Sequence, residues 1–237
     1  MVKKSFYSEI AYAIALVLLA LGTALMAKSD LGISMVVAPA YILHVKLSLI
    51  SALFSFGLVE LLVQLLVFAL LILILRRFRV SYLLCFGTAG LYGLILDLFA
   101  WLLSFGEVTF LSLRILLFLF GMLLCAIGIS LFFHTYFPPM VYEQLIKSLQ
   151  TRFRWSLAKS KTIYDLTSCL LAILLSFAFF GFWHFEGIKA GTLFCALFNG
   201  WLIGRISAIL DRFFVFRDIL PLRKYFEKQS IERSDTP

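Results

Sequence analysis

Charge is scarce in this chain. Of its 237 residues only 14% are charged, and 62% are hydrophobic. A soluble domain of this length could not hide so much apolar surface and would leave large apolar patches in water. Lipid removes that conflict, because apolar side chains then face outward. Cysteine is also sparse. Cys85, Cys125, Cys169 and Cys195 each lie inside an apolar run and form no C-x-x-C pair. They read as small core or helix-interface residues, with no disulfide framework or zinc site. The three histidines, His44, His134 and His184, are too scattered for a metal cluster and read as interfacial residues. There is no phosphate-binding glycine loop, no H-E-x-x-H motif and no pairing of nucleophile with base. The sequence therefore predicts no cofactor, no metal site and no enzymatic activity.

What is present is a series of long apolar runs. A helix needs about 20 apolar residues to cross the hydrocarbon core. Six segments qualify: 9–27, 51–75, 80–104, 110–133, 162–183 and 189–210. The breaks between them are chemically plain. They include Lys28-Ser29-Asp30, Arg76-Arg77-Phe78-Arg79, Phe105-Gly106-Glu107, Pro138-Pro139 and His184-Phe185-Glu186-Gly187. The first run also resembles a secretory signal, but Leu25-Met26-Ala27 is a poor cleavage site and five more runs follow. The predicted fold is all-α, a polytopic membrane protein of six transmembrane helices.

Orientation follows from Lys and Arg. With six spans, all but four of the 21 basic residues fall on the side that holds both termini. The four exceptions are Lys28, Lys46, Arg114 and Lys189. That asymmetry predicts cytoplasmic N- and C-termini. The net charge of +8 reads as topology signal dispersed over membrane-proximal loops, with no nucleic-acid footprint.

The two halves of the chain resemble one another. Leu21-Gly22-Thr23-Ala24-Leu25 matches Ile127-Gly128-Ile129-Ser130-Leu131. Ser34-Met35-Val36 matches Pro139-Met140-Val141, Glu60 matches Asp165, and Gly87-Thr88 matches Gly191-Thr192. All four landmarks keep a spacing of 104 to 106 residues. Each half holds three spans, and an odd number inserts the second copy upside down. The sequence thus predicts two inverted three-helix repeats, 1–109 and 110–210, followed by a tail at 211–237. This plan is common among secondary transporters. The segments 33–45 and 139–149 are also paired, and read either as half-inserted gates or as amphipathic connectors on the membrane surface.

Ionisable residues in hydrocarbon cost about 2.5–3.5 kcal/mol on insertion scales, which asks for a role or a partner. Glu60 and Gln64 share a face of the second span. Asp97 lies in the third span, Asp165 begins the fifth and Asn199 sits in the sixth. These five are the candidate substrate- or ion-binding residues, with the three acids facing a central cavity. The competing reading makes Asp165 a first-turn acid that complements the helix dipole, and makes Glu60 and Asp97 structural. Gly32, Pro138, Pro139, Gly87, Thr88, Gly191 and Thr192 are the candidate gate or helix-break positions. Gly200-x-x-x-Gly204 and Ala89-x-x-x-Gly93 are expected to pack inside the bundle rather than to join two chains. The basic and aromatic stretch from Arg205 to Lys228 is expected to be an amphipathic helix on anionic lipid, followed by a polar, disordered end.

Several of these motifs carry a resemblance. They are Leu31-Gly32-Ile33-Ser34, Phe86-Gly87-Thr88 with Asp97, Pro138-Pro139 with the short helix after it, Asp165, and Gly191-Thr192. Together they resemble the YczE/YitT-type bacterial membrane proteins up to about Ile206. The resemblance implies a multi-pass protein of the bacterial cytoplasmic membrane.

The function these features predict is secondary transport or export of a small molecule or ion by alternating access, coupled to protons or another cation. The alternative is a membrane regulator or assembly factor that binds a protein partner through its basic cytoplasmic face. The expected partners are the lipid bilayer and a small solute, with a protein partner or a homodimer as further options and nucleic acid excluded.

Overall fold

The computed structural model describes residues 4–75, 80–106, 108–155, 157–181 and 189–218. The chain is almost wholly helical. Its helices are α1 (Ser8–Ser29), α2 (Ala38–Ser48), α3 (Phe56–Leu75), α4 (Val80–Ser104), α5 (Leu111–His134), α6 (Val141–Phe153), α7 (Leu157–Phe180) and α8 (Ala190–Phe213). Two short strands, β1 (Lys4–Tyr7) and β2 (Phe214–Arg217), pair in parallel. Among the described residues, five helices are long and apolar enough to cross a membrane: α1, α4, α5, α7 and α8. The remaining expected span falls on α3, which holds the shorter apolar stretch Phe56–Leu70. The protein is therefore an all-α membrane protein. Leucines on the outer faces of α3, α4, α5 and α8, such as Leu66, Leu94, Leu116 and Leu197, are exposed as a lipid-facing surface requires.

α1 and α5 form the centre, packed backbone to backbone. A Cβ at Gly22 would lie 2.6 Å from the Gly121 carbonyl oxygen, and one at Gly128 would lie 3.0 Å from the Ala15 carbonyl oxygen. Only residues without side chains allow helices this close. Gly57 of α3 and Gly93 of α4 make a similar approach. Gly200 and Gly204 do not: nothing lies within 4 Å of either added Cβ. The expectation that this pair packs inside the bundle is corrected, because α8 turns its other face, with Gly191, Thr192, Cys195, Asn199 and Ile203, inward.

The ends of the helices sort into two groups. At one end the Arg114 guanidinium donates to the Ser29 carbonyl and to Asp30, Lys189 pairs with Asp30, and Lys28 donates to the Gly106 carbonyl. Lys46 donates to the Phe179 carbonyl at the close of α7. At the other end the Ser8 hydroxyl donates to Asp218, the Tyr136 hydroxyl to Glu9, and His134 meets Asp211. The start of α1 and the end of α8 lie together there, joined by β1 and β2.

That pairing also revises the expected tail helix. Phe214-Val215-Phe216 leaves the helix and runs extended, with Phe6 packed edge-on against Phe214 and Phe216. Aromatic and β-branched residues suit a strand better than a helix. Residues 76–79, with Arg76, Arg77 and Arg79, together with His184 and the tail beyond Asp218, lie outside the described residues.

α2 and α6 occupy the segments expected to be gates or connectors. Both are drawn inward at their first turns. Ala38, Ala40 and Ile42 of α2 are buried, as are Val141, Tyr142, Leu145 and Ile146 of α6. α2 packs against α3 and α7, and α6 packs against α3 and α7 from the other half. Pro39 falls in the first turn of α2, where its missing N–H costs nothing. Pro138 and Pro139 end α5 and leave Met140 extended before α6.

Candidate functional site

A cavity of about 20 Å³ sits where both halves meet. That is room for one water-sized group. α1 contributes Leu19 and Thr23, α3 Glu60, α4 Tyr92, and α5 Cys125 and Ile129. The turn before α2 adds Ser34, Val36 and Val37, and α6 and its approach add Met140, Tyr142 and Glu143. The two inward-drawn helices thus bring their first turns to the same space. Among the described residues, no lysine, arginine or histidine lines it.

Glu60 is wholly buried. Its Oε1 accepts from the Gln64 amide at 3.3 Å, one turn later on α3. Its other oxygen, Oε2, has no hydrogen-bond partner. The Gln64 carbonyl oxygen and the Tyr142 hydroxyl are likewise buried without one, although Tyr142 stands close enough to the Glu60 carboxylate to interact with it. Tyr92 donates to the Thr23 hydroxyl at 2.9 Å, which donates in turn to the Leu19 carbonyl. This small chain fixes one wall. Buried polar atoms are nearly always satisfied, so the orphaned Glu60 Oε2 and Tyr142 hydroxyl on this cavity mark a place where hydrogen-bonding capacity is held open.

The other expected binding residues lie elsewhere. Asp97 accepts from the Ser55 hydroxyl and the Gly57 N–H, both at 2.6 Å, at the start of α3. Asp165 is buried in an ion pair with Lys161, one turn earlier on α7, at 2.5 Å. Asn199 is buried on α8 with its carbonyl oxygen unpartnered, and it does not line the cavity. Tyr92, Tyr142 and Glu143 line the cavity, but sequence reasoning did not select them. Tyr142 and Glu143 sit outside the six apolar runs, within the paired segment 139–149 that was read as a gate or a connector.

The gate candidates form two latches. At the end shared with Asp30, the Ile33 N–H donates to the Thr192 hydroxyl at 3.2 Å, and the Gly191 N–H donates to the Leu31 carbonyl at 2.9 Å. Gly32 lies against Thr192 with φ of 125°, a left-handed conformation that favours glycine. At the opposite end the Thr88 hydroxyl meets the Tyr12 hydroxyl at 2.5 Å and the Pro138 carbonyl at 3.4 Å. Tyr12 packs on Phe132 and Phe137 there. Gly87 stands in open space beside Thr88, and Pro139 follows Pro138 into α6.

Beside the first latch, Asp30 carries the ion cluster. Partial burial pushes its carboxyl upward, but the Lys189 ammonium and the Arg114 guanidinium outweigh this and hold it below the usual carboxylate value.

Residues 6–208 match the family of unknown function DUF6198. The chain belongs to that family. The matched stretch takes in the cavity, both latches and all the expected site residues of this DUF6198 member. No curated protein and no solved structure matches it.

Proposed function

We propose that the chain is a secondary transporter or exporter of a small solute, working by alternating access with proton or cation coupling. One observation carries the reading: Glu60, wholly buried with a free carboxylate oxygen, faces a central cavity to which both halves contribute. An acid held so deep in an apolar protein is a functional position by default. In this proposal Glu60 is the coupling group, while Asp97 and Asp165, already engaged by protein partners, support the helices around it.

The proposal takes the architecture as six spans in two inverted repeats, in keeping with the YczE/YitT-type resemblance. Matched contacts support this. A spacing of 106 residues converts Ala15 to Gly121 and Gly22 to Gly128, so the Gly22–Gly121 contact becomes the Gly128–Ala15 contact. The same operation exchanges the two latches, because Thr88 corresponds to Thr192 and Ile33 to Pro138. Reciprocal contacts of this kind are what a two-fold relation between halves produces. The joining of α1's start to α8's end calls for an even number of crossings, which favours α3 as the sixth. The distribution of basic residues then supports cytoplasmic termini in a bacterial membrane.

The test is flux of candidate solutes into proteoliposomes under a pH gradient. The wild-type protein should show coupled flux, and Glu60→Gln should abolish it while Asp97→Asn retains it. Equal flux in wild-type and Glu60→Gln vesicles would contradict the reading.

A further inference from the structure

We infer that the groove between α5 and α8 holds one anionic phospholipid of the surrounding bilayer, with its phosphate at Lys189 and an acyl chain along the apolar wall. The groove has a volume of about 560 Å³ and lies at the bundle end that carries Asp30. Leu111, Ile115 and Leu119 recur every four residues along one face of α5, and Ala190 and Phe194 do the same on α8. All five are exposed. The Phe118 ring is buried and lies against Gly191, where an added Cβ would sit 2.6 Å from it. From Leu111 to Leu119 the α5 wall runs about 12 Å. One leaflet of hydrocarbon is about 15 Å deep, so the wall has the length of a chain held in a single leaflet.

The charge sits at one end of this wall. Among the described residues that line the groove, Lys189 is the charged one, and it stands at the last position before α8. A headgroup at a helix end with a chain running inward is how a phospholipid lies in a bilayer. Lys189 and Arg114 share the single carboxylate of Asp30. Two cations against one anion leave one positive charge over in this cluster of described residues, and a phosphodiester carries one negative charge. Among the described residues Lys189 spends one N–H, on Asp30, and its ammonium has two more to give. Its side chain is 37% exposed, so a phosphate can reach it. The apolar wall alone selects no lipid, because a chain is as well solvated in the bilayer as in the groove. Selection rests on the headgroup, and a zwitterionic lipid brings its own cation to the phosphate and gains less. A second copy of the chain would lay an apolar helix here, leaving the Lys189 donors without acceptors in hydrocarbon.

Native mass spectrometry of the purified full chain in a neutral detergent tests this, with titration by phosphatidylglycerol and by phosphatidylcholine of the same acyl chains. The expected result is one saturable phosphatidylglycerol, bound about fivefold or more tighter than phosphatidylcholine, as one basic residue at a lipid headgroup provides. Lys189→Gln should remove that preference and leave phosphatidylcholine binding as it was, while Lys189→Arg should keep it. Lys46→Gln removes a cation from the same bundle end, against α7, and should keep it too. Ile115→Trp fills the groove without touching the ion cluster and should weaken both lipids; it decides the matter if Lys189→Gln fails to fold. Equal binding of the two lipids, a preference that survives both Lys189→Gln and Ile115→Trp, or a loss as large in Lys46→Gln would overturn the site. Glycerol 1-phosphate bound as tightly as phosphatidylglycerol would overturn the role of the groove. A dimer that Ile115→Trp breaks, with lipid binding unchanged, would assign the groove to a second copy instead.

Discussion

Glu60, Asp97 and Asp165 carry the same charge into the membrane and meet different surroundings. Each is an expensive placement that the sequence alone makes conspicuous. Their partners are what the sequence hides. Asp97 binds the Ser55 hydroxyl and the Gly57 N–H, 42 and 40 residues away along the chain, and satisfies donors that open α3. Replacing it by Asn should cost about 1–2 kcal/mol, read as a lower unfolding temperature. Asp165 was read as a first-turn acid, but α7 begins at Leu157 and places it two turns in, paired with Lys161 one turn before it, a spacing the helix period supports. Glu143 was missed because it stands on a connector that no apolar run flagged. At the bundle end, Asp30 gives a pH dependence with a definite sign. Its carboxyl is held below the usual value by Lys189 and Arg114. The stabilisation it provides is present above the ordinary carboxylate range and is lost as pH falls through the lower, folded value. The Asp30 side chain is 56% exposed, so the effect is modest. Melting curves against pH should show an acid-side fall in the wild type that Asp30→Asn flattens.

The long elements are legible because length and apolarity alone decide them. The short ones are not. α2 and α6 sit in segments whose mixed composition fits a surface helix as well as a buried one. Only the contacts of Tyr142 and Ile42 show that their first turns are drawn inward. The strand at Phe214–Arg217 was hidden because its partner is the other terminus. Gly200 and Gly204 share the spacing of packing glycines, and nothing in that spacing says which way the face points. The two latches join elements that the proposed repeat brings into register. Thr192→Val removes the acceptor of the Ile33 N–H, and Thr88→Val removes the hydroxyl that meets Tyr12 and Pro138. Each loss weakens closure at its own end by about 1 kcal/mol. Labelling of cavity-lining cysteine from the two sides of the membrane should therefore shift in opposite directions in the two variants. A shift in the same direction in both would contradict their assignment to opposite gates.

For the whole molecule, the charge asymmetry, the paired contacts and the shared position of the termini converge on one picture. In the proposed account α1 packs against α5, and one latch closes each end of the small cavity beside them. Transport requires that the seal open on one side and then on the other. Cys125 lines the cavity and is a native reporter for this motion. With Cys85, Cys169 and Cys195 replaced by serine or alanine, its modification by a membrane-impermeant thiol reagent can be timed from each face of oriented vesicles. The account predicts slow labelling of Cys125 from both faces, with Thr192→Val speeding one and Thr88→Val the other. Labelling confined to a single face in the wild type and in both variants would contradict it.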